Sequence, residues 1–237
     1  MSDTEFVALP ATGRRYCVQR RVHLSDTGPD AVLRPDGFAR YLQDVANDDW
    51  DDTGVDWEDT WVVRRTVLRV GEGGRWPTLG EQLTVTTWCS GVGAAWAERR
   101  TDLHIGATLM IEAAGLWVPL DDTGFPRRLR PSFFDVYGTA VAQRKISSRV
   151  PDASIESGAH FRPWPLRRAD LDIVGHVNNA AIWSALSEVA RGNIVSAAVT
   201  HHGALEGTDQ VTLATTPGRL WLVVNDEVRV SGEFEVR

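Results

Sequence analysis

Along the first half of the chain the spacing of apolar positions changes twice. Tyr16–Leu24 has the look of a strand, and Ser25-Asp26-Thr27-Gly28-Pro29 closes it with turn-forming residues. Pro35 suits the first turn of a helix, and Phe38, Leu42, Val45 and Ala46 then fall on one helical face. After Gly54 the pattern becomes strand-like again, at Trp61–Val70, Glu81–Cys89, Ala94–Leu103 and Thr108–Val118. Within these, Leu83-Thr84-Val85-Thr86 shows the period of two of a half-buried strand. Asp121–Pro151 carries Pro126, Pro131 and Pro151 without a period and exceeds an ordinary connection, which predicts a linker. The second half repeats the order. A strand at Ser157–Arg168 leads through the turn Ala169–Gly175 to a helix from about Asn178 to Arg191, with Gly192 as its stop. Strands follow at Ile194–Thr200, Gln210–Thr215, Leu220–Val224 and Glu227–Val236.

An offset of about 144 residues lays Asp44-Val45-Ala46 on Glu188-Val189-Ala190, a weak identity supported by the matching order of elements. A helix followed by four antiparallel strands buries itself when the sheet wraps around it, and two such units side by side leave a cleft between them. The expected architecture is α+β, two tandem copies forming an internal pseudo-dimer. The expected division is an N-terminal domain over 1–137, a linker over 138–156 and a catalytic C-terminal domain over 157–237.

Composition narrows the function. A formal charge of −7 argues against a nucleic-acid binder, which needs a positive surface. No apolar run is long enough to span a bilayer, and MSDTEFVALP does not read as a secretory signal. Cys17 and Cys89 have no Cys or His at metal spacing and read as structural thiols of a reducing compartment, so the cytoplasm is expected. His104 and His201-His202 also lack metal-ligand spacing, and neither a metal nor another cofactor is expected. Arginine doublets such as Arg64-Arg65, Arg99-Arg100 and Arg167-Arg168 read first as solvated strand faces. Their second reading is reception of a phosphate or an acidic carrier protein. Tryptophan is abundant at 10 residues, with Trp50, Trp57, Trp61, Trp76, Trp88 and Trp96 crowding the first half. They read as core and strand packing, or as walls of a pocket for an acyl or aromatic chain.

The most distinctive string is Asp170-Leu171-Asp172-Ile173-Val174-Gly175-His176-Val177-Asn178-Asn179, just before the second helix. Gly175 permits a tight turn, and Asn178 or Asn179 can cap the helix. Asp172 is close enough in such a turn to accept a hydrogen bond from His176 and fix its tautomer. The backbone N–H groups of Val177, Asn178 and Asn179 would sit at the helix N-terminus, where a developing oxyanion is stabilised. The structural alternative is a turn histidine tied to its own carboxylate. In the first half, Val32 stands opposite His176, so one centre is expected.

These residues, with Trp183 and Glu188 on the following helix, resemble the second domain of the acyl-acyl-carrier-protein thioesterases, a double hotdog fold. Val22-His23-Leu24-Ser25-Asp26, Tyr41-Leu42-Gln43-Asp44-Val45-Ala46, Trp61-Val62-Val63-Arg64-Arg65, Thr86-Thr87-Trp88 and Trp117-Val118 resemble its first domain. The likeness runs from Tyr16 to Arg237. It implies hydrolysis of a fatty acyl thioester on acyl carrier protein, or on CoA, with the first half shaping the acyl tunnel. It implies catalytic roles for Asp172 and His176 and for a later glutamate, which falls on Glu206 after a shift of one residue. The family's Asn two residues before the His falls on Val174, which can neither hold water nor donate to a carbonyl. Glu188 lies roughly 16–18 Å along the helix from His176, too far to touch it. Two other readings stand beside hydrolysis: a hotdog dehydratase or hydratase, and a non-catalytic acyl-carrier-protein binding module. A homodimer of the whole chain is left open, as are acyl chain length and branching.

Overall fold

The structure is a computed structural model describing residues 4–55, 60–141 and 144–237. Trp57 and residues 142 and 143 of the expected linker lie outside the described residues. Among the described residues ten strands form one antiparallel sheet: β1 (Tyr16–Arg21), β2 (Thr60–Val70), β3 (Gln82–Val92), β4 (Ala97–Ile105), β5 (Thr108–Leu120), β6 (His160–Pro163), β7 (Ile194–His201), β8 (Thr212–Thr216), β9 (Arg219–Val224) and β10 (Glu227–Val236). Their order across the sheet is β1-β3-β4-β5-β2-β7-β10-β9-β8-β6. Each half contributes five strands in the same internal order, mirrored about the β2–β7 seam, where Arg65 pairs with Thr200 and Arg69 with Ser196. This is the tandem pseudo-dimer that the repeat implied, in the double hotdog form that the resemblance implied.

Helix α1 (Pro35–Asp52) lies on one face of the first half, with Pro35 opening it. The second helix is broken into α3 (Asn179–Ile182) and α4 (Ser184–Val189), shorter than the expected single helix. The break falls at Trp183, which is buried, and the Ser184 hydroxyl bonds back to the Ala181 carbonyl at 2.6 Å. Such back-bonding bends helices. A further helix, α2 (Pro131–Tyr137), occupies part of the unpatterned stretch Asp121–Pro151; Pro131 starts it, and Phe133 and Tyr137, four residues apart, turn inward onto Cys89, Val92 and Ala97.

One apolar core is shared by the halves. Phe38 and Val45 of α1, Trp183 and Leu186, and inward residues such as Leu68, Leu103, Ile111, Leu213 and Leu222 belong to it. Strand side chains alternate between faces, so an arginine doublet in a strand sends one guanidinium each way. Arg99 points toward α1 and meets Asp49 at 2.7 Å, while Arg100 meets Glu112 at 2.5 Å on the opposite face. There Phe6 is covered by Arg69 and Arg100, 4.5 and 4.8 Å from its ring centre. The solvated-face reading of the doublets therefore fails at Arg65, Arg99 and Arg100, which are ion-paired and largely buried. At the end of the expected 138–156 linker Ile155, and just after it Ala159, cover Trp221 on that same outer face.

Candidate active site

The turn before α3 is built almost entirely from backbone bonds. Arg168–Asp170 makes a short 3-10 turn, and the Asp170 carboxylate accepts from the Arg167 N–H at 2.9 Å and its guanidinium at 2.7 Å. The chain then doubles back: Asp172 N–H donates to the His176 carbonyl at 2.8 Å, and Gly175 N–H to the Asp172 carbonyl at 3.1 Å. Gly175 takes φ +85°, in the left-handed region that glycine enters without strain. Val177 N–H reaches the Leu205 carbonyl at 2.8 Å, which ties the turn to the loop after β7. That loop is itself closed by bonds between Glu206 N–H and the Asp209 carboxylate (2.8 Å) and between Asp209 N–H and the Glu206 carbonyl (3.0 Å).

His176 and Glu206 face each other across this junction as a β-bridge, with His176 Nε2 3.2 Å from Glu206 Oε1. The side chains are 46% and 53% exposed, so the pair stands at the surface, open to a ligand. Two expectations change here. The Asp172 carboxylate does not bond the imidazole; its Oδ1 accepts from the backbone N–H groups of Val174 (3.0 Å) and His176 (3.1 Å). Asp172 shapes the turn, and the carboxylate on the ring is Glu206. The helix N-terminus is also less open than expected. Val177 N–H is used by Leu205 and Asn178 N–H by the Asp170 carbonyl at 2.7 Å. The Asn178 side chain caps the helix by accepting from Ala180 N–H at 2.8 Å. Of the three expected amides, that of Asn179 alone has no backbone partner among the described residues. Glu188 is remote, 3.8 Å from Arg162 on the surface. Among the described residues no group of three or more His, Cys, Asp or Glu is placed to hold a metal ion.

The family model for the acyl-ACP thioesterase N-terminal domain matches residues 13–135, just over half of the chain. The chain belongs to the acyl-ACP thioesterase family. An uncharacterised protein of Mycobacterium tuberculosis (strain H37Rv) is 29% identical over 189 residues, covering 79% of this chain and 74% of that one. Among solved structures, the 12:0-ACP thioesterase from Umbellularia californica superposes with a TM-score of 0.79 at 16% identity, covering 96% of this chain and 99% of that one. An acyl-ACP thioesterase from Bacteroides thetaiotaomicron gives 0.75 at 16% identity, covering 93% and 98%. At such identities the likeness is one of fold.

Within this chain the first half holds a backbone copy of the turn. Gly28 N–H bonds the Val32 carbonyl at 2.9 Å, Ala31 N–H the Gly28 carbonyl at 3.0 Å and Arg34 N–H the Asp26 carbonyl at 2.9 Å. Leu33 N–H bonds the Pro77 carbonyl at 2.8 Å, and Val32 bridges Thr78. Where the second half has Asp172, His176 and Glu206, the first has Gly28, Val32 and Thr78. The backbone repeats and the chemistry does not. Val174, where the family pattern has Asn, is 66% exposed in the second turn, with its N–H spent on Asp172.

A cavity of about 380 Å³ lies in the first half, under the C-terminal part of α1. Trp50, Trp61, Trp117 and Phe133 wall it, and Arg99 and Cys89 reach it. Burial pushes the Cys89 thiol up to about 12, so it stays protonated. Behind this wall Asp49, nearly inaccessible, receives Arg14 (2.7 Å), Arg99 (2.7 Å) and the Tyr137 hydroxyl (2.9 Å). Burial, reinforced by Asp49, raises that phenol to about 12 against the opposing pull of Arg99. His176 does not line this cavity. Phe133, Tyr137 and Asp49 carried no sequence signal beyond Phe133 and Tyr137 standing four apart after Pro131.

Proposed function

We propose that the chain hydrolyses fatty acyl thioesters of acyl carrier protein, or of CoA, at the His176–Glu206 pair. The observation that carries this reading is the 3.2 Å contact of His176 Nε2 with Glu206, half exposed at a rigid turn in a thioesterase fold. A carboxylate on Nε2 favours the tautomer with the proton there and leaves Nδ1 as the base. Nδ1 takes a proton from water as the oxygen attacks the thioester carbonyl. The tetrahedral adduct then collapses, the C–S bond breaks, and the imidazolium returns the proton to the leaving sulfur, giving acid and free thiol. Asn179 N–H is the backbone donor left to meet the oxyanion. Asp172 acts through the turn.

The acyl tail is assigned to the first-half cavity. The mirrored sheet implies a two-fold axis perpendicular to it, which sets α1 and α3 antiparallel. Running along α1 toward its C-terminus therefore leads to the side where the His176 turn meets α3. On this reading 1–137 is the acyl-binding domain, 138–156 the linker, and 157–237 the catalytic domain, acting in the cytoplasm with acyl carrier protein as partner. The test is thiol release from acyl thioesters on both carriers, by the native protein and by His176→Ala. Release by the native protein alone is expected. Equal release by both would remove His176 from the mechanism. Val174 favours a second reading, a non-catalytic acyl binder, which tight acyl binding without any thiol release would select.

A further inference from the structure

We infer that the first-half cavity selects acyl groups bearing an aromatic ring over flexible straight chains. The inference rests on the thioesterase reading and names its substrate class. The cavity's large walls are rings. Trp61 lies over Phe133 with centroids 5.7 Å apart and planes at 25°, and Trp50 meets Trp61 edge-on at 5.5 Å and 80°. Trp117 is a further wall, and Ala46 and Ala97 leave the space between. Among the described residues no leucine, isoleucine, valine or methionine lines it. Branched and thioether side chains adapt to a bending methylene chain, whereas indole and phenyl walls present fixed planes. A flat face beside a perpendicular edge offers a third ring both of its preferred contacts, offset stacking and edge-to-face.

The walls are also held from behind. Phe133 packs on Tyr137 with centroids 5.0 Å apart, and the Tyr137 hydroxyl is fixed by the Asp49–Arg99 pair. A straight chain entering such a rigid slot loses rotor freedom at every bond without closing the gaps. A ring brings its area already ordered. At about 380 Å³ the space is of ordinary small-ligand size, near the low end of the roughly 300–1,000 Å³ range.

The experiment compares 4-phenylbutyryl and octanoyl thioesters on CoA, as kcat/KM from thiol release. The phenyl substrate should lead by about tenfold, equivalent to about 1.4 kcal/mol. An octanoyl rate equal or higher overturns the inference. Trp61→Leu and, separately, Trp117→Leu should lower the phenylbutyryl-to-octanoyl ratio of kcat/KM several-fold; an undiminished ratio in both also overturns it. A binding readout separates this inference from the catalytic one. In His176→Ala, 4-phenylbutyrate should quench tryptophan fluorescence at lower concentration than octanoate does. If no thioester is cleaved but that order holds, the hydrolase reading falls and the cavity assignment stands. Brisk hydrolysis with the reverse order sinks the cavity assignment alone.

Discussion

The imidazole of His176 borrows its orientation from a different loop, not from its own turn, and this decides what each substitution should do. His176→Ala removes a half-exposed ring that holds no core, so turnover should fall about 10²–10⁴-fold while the thermal midpoint stays within a degree or two of native. Loss of the midpoint together with activity would mean the ring is structural. Asp172 gives a sharper contrast. Its Oδ1 accepts two backbone N–H groups, a task an amide oxygen can also perform. Asp172→Asn should therefore keep turnover within about threefold, whereas Asp172→Ala, which frees both N–H groups, should lower stability by about 1–2 kcal/mol and turnover with it. An inactive, well-folded Asp172→Asn would restore the carboxylate to direct chemistry. The sequence showed His176 and Asp172 because both lie in one short string. It could not separate a ring contact from two backbone contacts, since both satisfy the same spacing. Glu206 was reachable only through resemblance, because its place opposite His176 depends on a loop thirty residues away.

At the level of elements, the turn and the short helix it feeds should be the most sensitive pieces outside the core. Gly175 sits at φ +85° with open space where a Cβ would be, so Gly175→Ala meets no clash and costs only the backbone term. That is about 1–2 kcal/mol, read as a shift in the urea midpoint, with turnover falling as the His176–Glu206 register loosens. An unchanged midpoint would show that the turn relaxes into another form. Nearly every strand fell within a stretch that looked strand-like, with clear alternation at Leu83–Thr86, and α1 was legible from Pro35 and its apolar face. What escaped is short or broken. Helix α2 has a single inward pair, Phe133 and Tyr137, too few residues to set a period. The break at Trp183 comes from a Ser184 back-bond and a bulky buried ring, and the apolar spacing runs through it uninterrupted. β6 spans only four of the twelve residues that looked strand-like, because its edge position leaves most of that stretch unpaired.

For the molecule as a whole, the duplicated backbone with one set of reactive side chains makes the halves depend on each other. Their seam is β2 against β7, and β7 ends in His201, which is buried, with its Nε2 unpartnered among the described residues. Burial first, then the charges of Arg64 and His202, push this imidazole down to about 4. The folded chain thus holds it neutral where the unfolded chain, near 6.5, would take up a proton. Between those two values the unfolded state binds more protons, so stability must fall as pH drops from about 6.5 toward 4 and level off below. The loss from this one group is bounded at about 3 kcal/mol, and His202, also lowered by burial, adds in the same direction. Urea unfolding at pH 7 and at pH 4.5 should therefore show a smaller acid loss in His201→Leu than in the native chain. The carboxylates common to both proteins set the remaining slope. Parallel losses in the two would mean that the imidazole finds a proton-accepting partner in the folded seam, and the burial of His201 would then carry no acid sensitivity.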